Sequence, residues 1–464
     1  MKKTTYIALS VMCFGSVFSA KAQMPIIQTE FTADPAPYVH GDTVYLYTTH
    51  DEDYGDGFEM RDWLLYTSTD MVNWENHGAV ASLKDFKWYD KTNGAWAEQV
   101  IERNGKWYMY CPIHGHGISV LVSDSPYGPF SDPLGEPLVW QKEHWYDIDP
   151  TVWIDDDGQA YMYWGNPNLY HVKLNEDMIS YSGEIVEHPH IEDYQEGPWF
   201  YKRGGWYYMA FASRCCPEGI GYAMSRNAEG PWEYKGHIMN HTTLTRGNHP
   251  GIIEYKGKSY VFGLNYDLLR MQMAEHHERR SVSVAEMHYN ADGTIQEVPY
   301  FRESAIDPVD VFNPYRRVEA ETMAWGWGLK VVENGHKLFR TNTSGGIDTP
   351  VLYQRTSAHP QLVVADIDEG ETLTLRNVDF GKKGARQFVA SVSALRKGAQ
   401  IEIHLDRSNG PIVGVLDVPC TGSKEQFETA VCKLKGAKGV HDLVFKFYGT
   451  AQKELFRWDW WEMK

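Results

Sequence analysis

The chain has 464 residues and a formal net charge of −18, with 62 acidic against 44 basic side chains, 14% aromatic residues and 17 tryptophans. So acidic a surface would repel nucleic acid and anionic membranes, which excludes both as natural partners. Tyr and Trp in this abundance pack β-strands, and their ring faces also suit neutral, hydrogen-bonding ligands, sugars above all.

The first 22 residues read as a secretory signal. Lys2 and Lys3 precede an apolar run from Tyr6 to Phe18, and Ala20-Lys21-Ala22 forms a small-residue cleavage site ahead of Gln23. Export to the periplasm or beyond is expected. Losing Lys2, Lys3 and Lys21 takes the formal charge from −18 to −21. No other stretch is long and apolar enough to span a bilayer. Five cysteines remain, Cys111, Cys215, Cys216, Cys420 and Cys432, so at least one is unpaired even in an oxidising compartment. Cys420 and Cys432 are spaced for a loop-closing bridge. The adjacent Cys215 and Cys216 would form only a strained bridge and read as free thiols.

Residues 23–304 repeat one layout five times: an acidic residue or His beside Pro or Gly, then a strand crowded with aromatics. Asp34 precedes Tyr45-Leu46-Tyr47, Glu98 precedes Trp107-Tyr108-Met109-Tyr110, and Asp149 precedes Tyr161-Met162-Tyr163. Glu196 precedes Trp206-Tyr207-Tyr208, and His249 precedes Tyr260-Val261-Phe262. The polar members lie 64, 51, 47 and 53 residues apart, a spacing that suits one four-stranded blade each. Five units predict a five-bladed β-propeller with a carboxylate-lined centre. Polar turns ahead of Trp74, Phe130 and Trp232 mark outer strands whose aromatics cover the seams between blades.

Residues 305–315, with Pro308 and Pro314, read as a linker. From 316 to 464 the alternation of Gln400–Leu405 and His441–Phe447 predicts a separate β-sandwich. The class is all-β throughout: a propeller, then a sandwich.

Cleaving a glycosidic bond takes one carboxyl that protonates the leaving oxygen and one that removes a proton from water or attacks directly. A third acid nearby raises the pKa of the proton donor. Asp34, Asp149 and Glu196 open three different units, with Pro beside each Asp and Gly-Pro after the Glu. Any one of them alone is an ordinary strand-entry turn; three at the same phase are the candidates for such a triad.

With these motifs the propeller region resembles glycoside hydrolase family 43, the arabinofuranosidases and xylosidases of plant-polysaccharide breakdown. Ala33-Asp34-Pro35-Ala36-Pro37, Ile148-Asp149-Pro150 through Asp157-Gly158, and Glu196-Gly197-Pro198 match its signatures in order. The resemblance implies an inverting reaction, with Asp34 as general base, Glu196 as general acid and Asp149 positioning that acid. It places His249 on the axis below the sugar, beside a central ion or water. Arg280 matches a substrate-contacting Arg, its alternative being a surface ion pair. Trp96 stacks on a sugar or packs a seam. Glu98 stands where the family has Pro, an extra carboxylate expected at the rim, binding a hydroxyl or facing solvent. His114-Gly115-His116 and Asp155-Asp156-Asp157-Gly158 have a metal-like look but lack further ligands, and read as a loop and a hairpin turn.

Residues 316–464 resemble a family 6 carbohydrate-binding module through Val318-Glu319-Ala320-Glu321, Asn377-Val378-Asp379-Phe380-Gly381 and Leu455–Trp461. That implies a jelly roll with a structural Ca2+ on Glu319, Glu321 and Asp459. Arg457 and Thr341–Gly346 depart from its sugar-binding pattern, leaving Trp325 and Trp327 as stacking candidates, so the module either grips glycan or buttresses the propeller. The substrate expected is an arabinose- or xylose-containing plant glycan, losing a terminal α-L-arabinofuranose. The alternatives are β-xylosidase or β-galactofuranosidase activity on the same scaffold, or a non-catalytic glycan-binding propeller. No organic cofactor is expected.

Overall fold

A computed structural model of the chain describes residues 25–53, 57–243, 245–273, 277–301, 306–334 and 361–464. The expected signal segment and Thr341–Gly346 lie outside the described residues. The protein is all-β. Among the described residues before 305, eighteen strands and a single short α-helix, α1 (Asp267–Gln272), form five antiparallel sheets.

The first sheet holds β1 (Phe31–His40), β2 (Thr43–Asp51), β3 (Asp62–Ser68) and β4 (Trp74–Ser82), and the second β5 (Gln99–Arg103), β6 (Lys106–Pro112) and β7 (Ile118–Ser123). The third comprises β8 (Thr151–Ile154), β9 (Ala160–Trp164), β10 (Tyr170–Leu174) and β11 (Tyr181–Glu187). The fourth comprises β12 (Tyr194–Arg203), β13 (Trp206–Ser213), β14 (Ile220–Ser225) and β15 (Glu233–Met239). The fifth holds β16 (Gly251–Tyr255), β17 (Lys258–Asn265) and β18 (Ser281–Met287). Each aromatic run read from the sequence lies in the second strand of its sheet, and each polar residue lies just before the first strand or within its first few residues.

Two sheets fall one strand short of the expected four. Beside β7, residues Ser131 and Val139 make only isolated bridges to Val122 and Ile118. Pro129, Pro133 and Pro137 remove the N–H groups a continuous fourth strand would need. In the fifth sheet the outer place beside β18 is taken by the segment that leads into β1, where Ile26 N donates to Val282 O at 3.0 Å.

The first strands succeed one another around a common centre. Gln99 of β5 donates to Val152 O of β8 at 3.3 Å, and Phe200 N of β12 to Thr151 Oγ1 of β8 at 3.0 Å. Trp199 Nε1 of β12 donates to Ile252 O of β16 at 3.0 Å. Gly251 of β16 packs so closely on β1 that a Cβ there would lie 2.4 Å from Pro37 Cδ. The apolar core fills the seams between neighbouring sheets, as where Tyr47, Trp63 and Leu65 of the first meet Met109 and Leu121 of the second.

Beyond residue 305, the strands are β19 (Val318–Glu319), β20 (Thr322–Met323), β21 (Trp325–Gly326), β22 (Lys330–Glu333), β23 (Leu362–Ala365) and β24 (Thr372–Asp379). They continue with β25 (Gln387–Ser393), β26 (Ala399–Leu405), β27 (Ile412–Asp417), β28 (Glu428–Lys433), β29 (Val440–Gly449) and β30 (Arg457–Met463). Sheets β22-β23-β30-β25-β28 and β21-β24-β29-β26-β27 enclose one core, in which Phe388, Trp458 and Trp461 of one meet Ile403, Phe445 and Phe447 of the other. This is the expected sandwich. β20 belongs to neither sheet: it pairs with β4, Thr322 opposite Glu75 and Met323 opposite Trp74, as a fifth strand of the first sheet.

Both cysteine expectations are corrected. Cys215 and Cys216 form a disulfide, in a loop closed by Ser213 N to Gly219 O at 3.1 Å and Gly219 N to Ser213 Oγ at 2.8 Å. Cys420 and Cys432 are free. Cys432 lies opposite Phe388 at one end of β25, whereas Cys420 donates to Leu395 O beyond the other. About seven residues of extended chain, roughly 20 Å, separate those places.

Candidate active site

Three acids and a histidine from four sheets converge on the centre. Asp34 sits in a bulge of β1 at φ +49, which turns its carboxyl inward. Thr49 Oγ1 and Arg280 Nη1 each donate to it at 2.8 Å. Asp149, also in the left-handed region at φ +57, precedes β8 and accepts from Gly197 N at 3.1 Å. Glu196 stands between two register shifts of β12 and accepts from Asn166 Nδ2. Bulges re-aim single side chains in this way near functional sites.

His249 is the hub. Its Nδ1 lies 3.4 Å from Asp34 Oδ1, and its Nε2 lies 3.7 Å from Asp149 Oδ2 and 3.6 Å from Glu196 Oε1. Burial opposes charge on the ring, but Asp149, Asp34 and Glu196 outweigh it and hold the pKa at about 10. The ring is therefore held as an imidazolium facing all three acids. Asp149 responds oppositely: burial pushes it up to about 7, with Glu196 and Asp34 adding to the rise and His249 opposing it. Gly197, at φ +58, leaves room for the ring, since a Cβ there would lie 2.6 Å from His249 Cγ.

Arg280 is buried, not a surface ion pair. Nε and Nη2 each donate to Asp51 at 3.0 Å while Nη1 holds Asp34, so the guanidinium is locked between two carboxylates. A cavity of about 260 Å3 opens above the cluster, and Trp96, Trp145, Phe58 and Arg246 line it with the acids. Trp96 stacks on His114, centroids 3.9 Å apart. Glu98 is neither at the rim nor in solvent. It is 4% exposed, both carboxylate oxygens lack a partner, and burial pushes its pKa well above the usual range. Its neighbour Ala97 takes the cavity wall, and Glu98 turns the other way.

Sequence reasoning missed Glu218, Asn166, Asp51 and Thr49. Glu218 accepts from Asn248 N at 2.9 Å, and burial, then Glu196, raise its pKa to about 7. The turn Cys216-Pro217-Glu218-Gly219 was the available signal.

The glycosyl hydrolases family 43 model matches residues 22–295, and the carbohydrate binding module (family 6) model matches residues 319–464. The chain belongs to glycosyl hydrolases family 43. An arabinoxylan arabinofuranohydrolase of Bacillus subtilis (strain 168) is 31% identical to this family 43 chain over 94% of it and 91% of the relative. A xylosidase/arabinosidase of Bacteroides ovatus is 31% identical over 58% of this chain and 95% of its own. The crystal structure of a family 43 arabinoxylan arabinofuranohydrolase from Bacillus subtilis aligns at TM-score 0.81 and 29% identity, covering 95% of this chain and 97% of that one.

In the C-terminal part of the family 43 chain, Glu319, Glu321 and Asp459 act on one another, and Glu75 of β4 joins them. Ala320 N donates to Asp459 O at 2.9 Å, which ties the residue after β19 to β30. Arg317 pairs with Glu319 at 2.7 Å and stands 3.9 Å from Asp459. Glu321 is 5% exposed with Oε2 unpartnered, and burial, Glu75, Glu319 and Asp459 raise its pKa far above the usual value. A buried, orphaned carboxylate oxygen among acids fits a hard divalent cation. No helix among the described residues is long and apolar enough to cross a membrane.

Proposed function

We propose that the protein is an inverting, exo-acting α-L-arabinofuranosidase that trims side-chain sugars from an arabinoxylan-type polysaccharide. The observation that carries this is the convergence of Asp34, Asp149 and Glu196 around His249 at the floor of one small cavity. In this reading Asp34 takes a proton from water as the water attacks the anomeric carbon, and Glu196 gives its proton to the departing glycosidic oxygen. Asp149 holds the Gly197 backbone beside the acid and so positions it. Contacts through the His249 ring limit the Asp34–Glu196 separation to about 9 Å, compatible with the roughly 6.5–9.5 Å that inversion requires. Arg280 fixes the base, and Trp96 forms a wall against the sugar.

The five sheets, linked through their first strands, support a five-bladed propeller over residues 23–304, a linker at 305–315 and a jelly-roll module at 316–464. That module would hold Ca2+ on Glu319, Glu321 and Asp459, a structural clip that takes no part in the chemistry. The signal-like segment supports export. A glycan receptor has no use for a buried Asp149 beside Glu196, which favours the hydrolase.

The test is hydrolysis of aryl α-L-arabinofuranoside, β-xyloside and β-galactofuranoside, with proton NMR of the first-formed anomer. Arabinofuranoside should be preferred, with inversion, and Asp34→Asn and Glu196→Gln should each lose about 10³-fold or more in kcat while keeping the wild-type melting temperature. Retention of configuration, or near-normal turnover in either variant, would refute the assignment.

A further inference from the structure

Away from the acid-lined cavity, two imidazoles converge on one carboxylate. Asp193 precedes β12, His237 lies in β15, and His241 follows that strand. His237 Nε2 lies 2.7 Å from Asp193 Oδ2, and His241 Nε2 lies 3.8 Å from the same oxygen. The two rings meet edge to face with centroids 4.7 Å apart, and the three donor atoms all lie within 4.8 Å of one another. None of these residues lines the cavity that holds Asp34, Asp149 and Glu196.

The backbone aims all three at one point. Asp193 stands in the left-handed region at φ +65, and its carbonyl accepts from Arg214 N at 2.8 Å. His237 pairs with Gly221 beside a bulge of β15, because Met239, two residues on, pairs with the adjacent Ile220. Tyr234 of the same strand donates to Asp193 Oδ2 at 3.5 Å, and Ser213 Oγ lies 3.1 Å from His241 Nε2. An ion pair needs one imidazole, whereas a shared cation needs several donors directed at one place. Bonds of about 2.0–2.1 Å in a tetrahedral zinc site set the donor atoms roughly 3.3 Å apart. The observed 2.7 and 3.8 Å straddle that figure, so shifts of about 0.5 Å complete the set. Two imidazoles with one carboxylate suit zinc, unlike the all-oxygen cluster of Glu319, Glu321 and Asp459, which suits Ca2+.

We propose that Asp193, His237 and His241 bind a zinc ion, with water in the fourth position, and that this ion braces the 213–219 loop. Ser213 and Arg214 at the start of that loop already touch His241 and Asp193. Thr245 Oγ1, beyond His241, donates to Glu218 O at 2.8 Å. The same loop puts Cys215 and Glu218 into the cavity wall, so the ion steadies a wall of the active site without entering it. The site stands whatever reaction the cavity performs.

The test uses the full chain, stripped with chelator and returned to saturating Ca2+, then titrated with zinc chloride by calorimetry and with cobalt(II) by visible absorption. Wild type should take up one zinc more than His237→Gln or His241→Gln, with affinity at this site lowered about 100-fold or more in each variant. Cobalt(II) should give the strong visible bands of tetrahedral coordination in wild type only. His241 is exposed, so His241→Gln should keep the zinc-free melting temperature of wild type and lose the rise that zinc produces. Zinc held by His249, Asp149 and Glu196 would be common to all three proteins, so the difference reads this site alone. No zinc uptake by wild type, or equal uptake and equal cobalt(II) spectra in wild type and both variants, would overturn the proposal.

Discussion

Replacing His249 by Gln removes the one positive charge that faces all three central acids. Its nitrogens lie 3.4, 3.7 and 3.6 Å from Asp34, Asp149 and Glu196. At an effective dielectric near 20, unit charges 4 Å apart attract by about 4 kcal/mol, and an opposite charge at this range lowers a carboxyl pKa by about 1–3 units. Arg280 still pairs with Asp34 in the variant, so the lower end of that range, about one unit, sets the expected size of the effect. The acid limb of kcat/KM against pH, measured on an aryl arabinofuranoside, should therefore move up by about one unit. Stability gives an independent sign. His249 titrates at about 10 in the fold against an ordinary 6.5, so its contribution is complete below about pH 6.5 and is lost as pH rises through 10. Urea unfolding should show the wild type losing more stability between pH 6.5 and 10 than the variant. An acid limb that stays in place in a folded His249→Gln protein would refute the charged-hub account.

Three further outcomes follow from the geometry. Gly197→Ala adds a Cβ 2.6 Å from His249 Cγ at a left-handed residue; it should cost about 1–2 kcal/mol in urea and lower kcat by about 10²-fold through displacement of the ring. EDTA should lower the melting temperature of the full chain, and Glu321→Gln should blunt that response; a calorimetric trace unaffected by chelator would remove the cation from this cluster. Denatured without reductant, the protein should alkylate at Cys111, Cys420 and Cys432 but not at Cys215 or Cys216, as peptide mass spectrometry would read.

The acids at 34, 149 and 196 were legible because each shares its turn with Pro or Gly and repeats at the phase of the aromatic strands. The residues that orient them were not. Asp51 ends an ordinary strand and Asn166 sits in an ordinary turn, and only the closing of the ring brings Asp51 beside Arg280, 229 residues later. Glu98 shares the phase of the others yet turns away from the cavity, because a one-residue change of facing along the β5 entry sends a side chain to the opposite side. The cysteine expectations failed for a related reason: loop closure and strand register set which sulfurs meet, and neither is written in spacing alone. Trp145 carried no periodic signal, being in a connection without regular strands.

The pairing of β20 with β4 makes one sheet out of segments from both halves of the chain. Side chains extend the joint: Asn73 and Arg376 exchange hydrogen bonds at 2.9 and 2.8 Å, and Lys330 reaches Thr29 O at 2.9 Å and Asp53 at 3.0 Å. A polymer held by the rear half would consequently meet the cleft at a set bearing and distance, with no tether to swing. Cutting the gene after residue 304 would strip that strand away and leave an open hydrogen-bonding edge, an invitation to self-association.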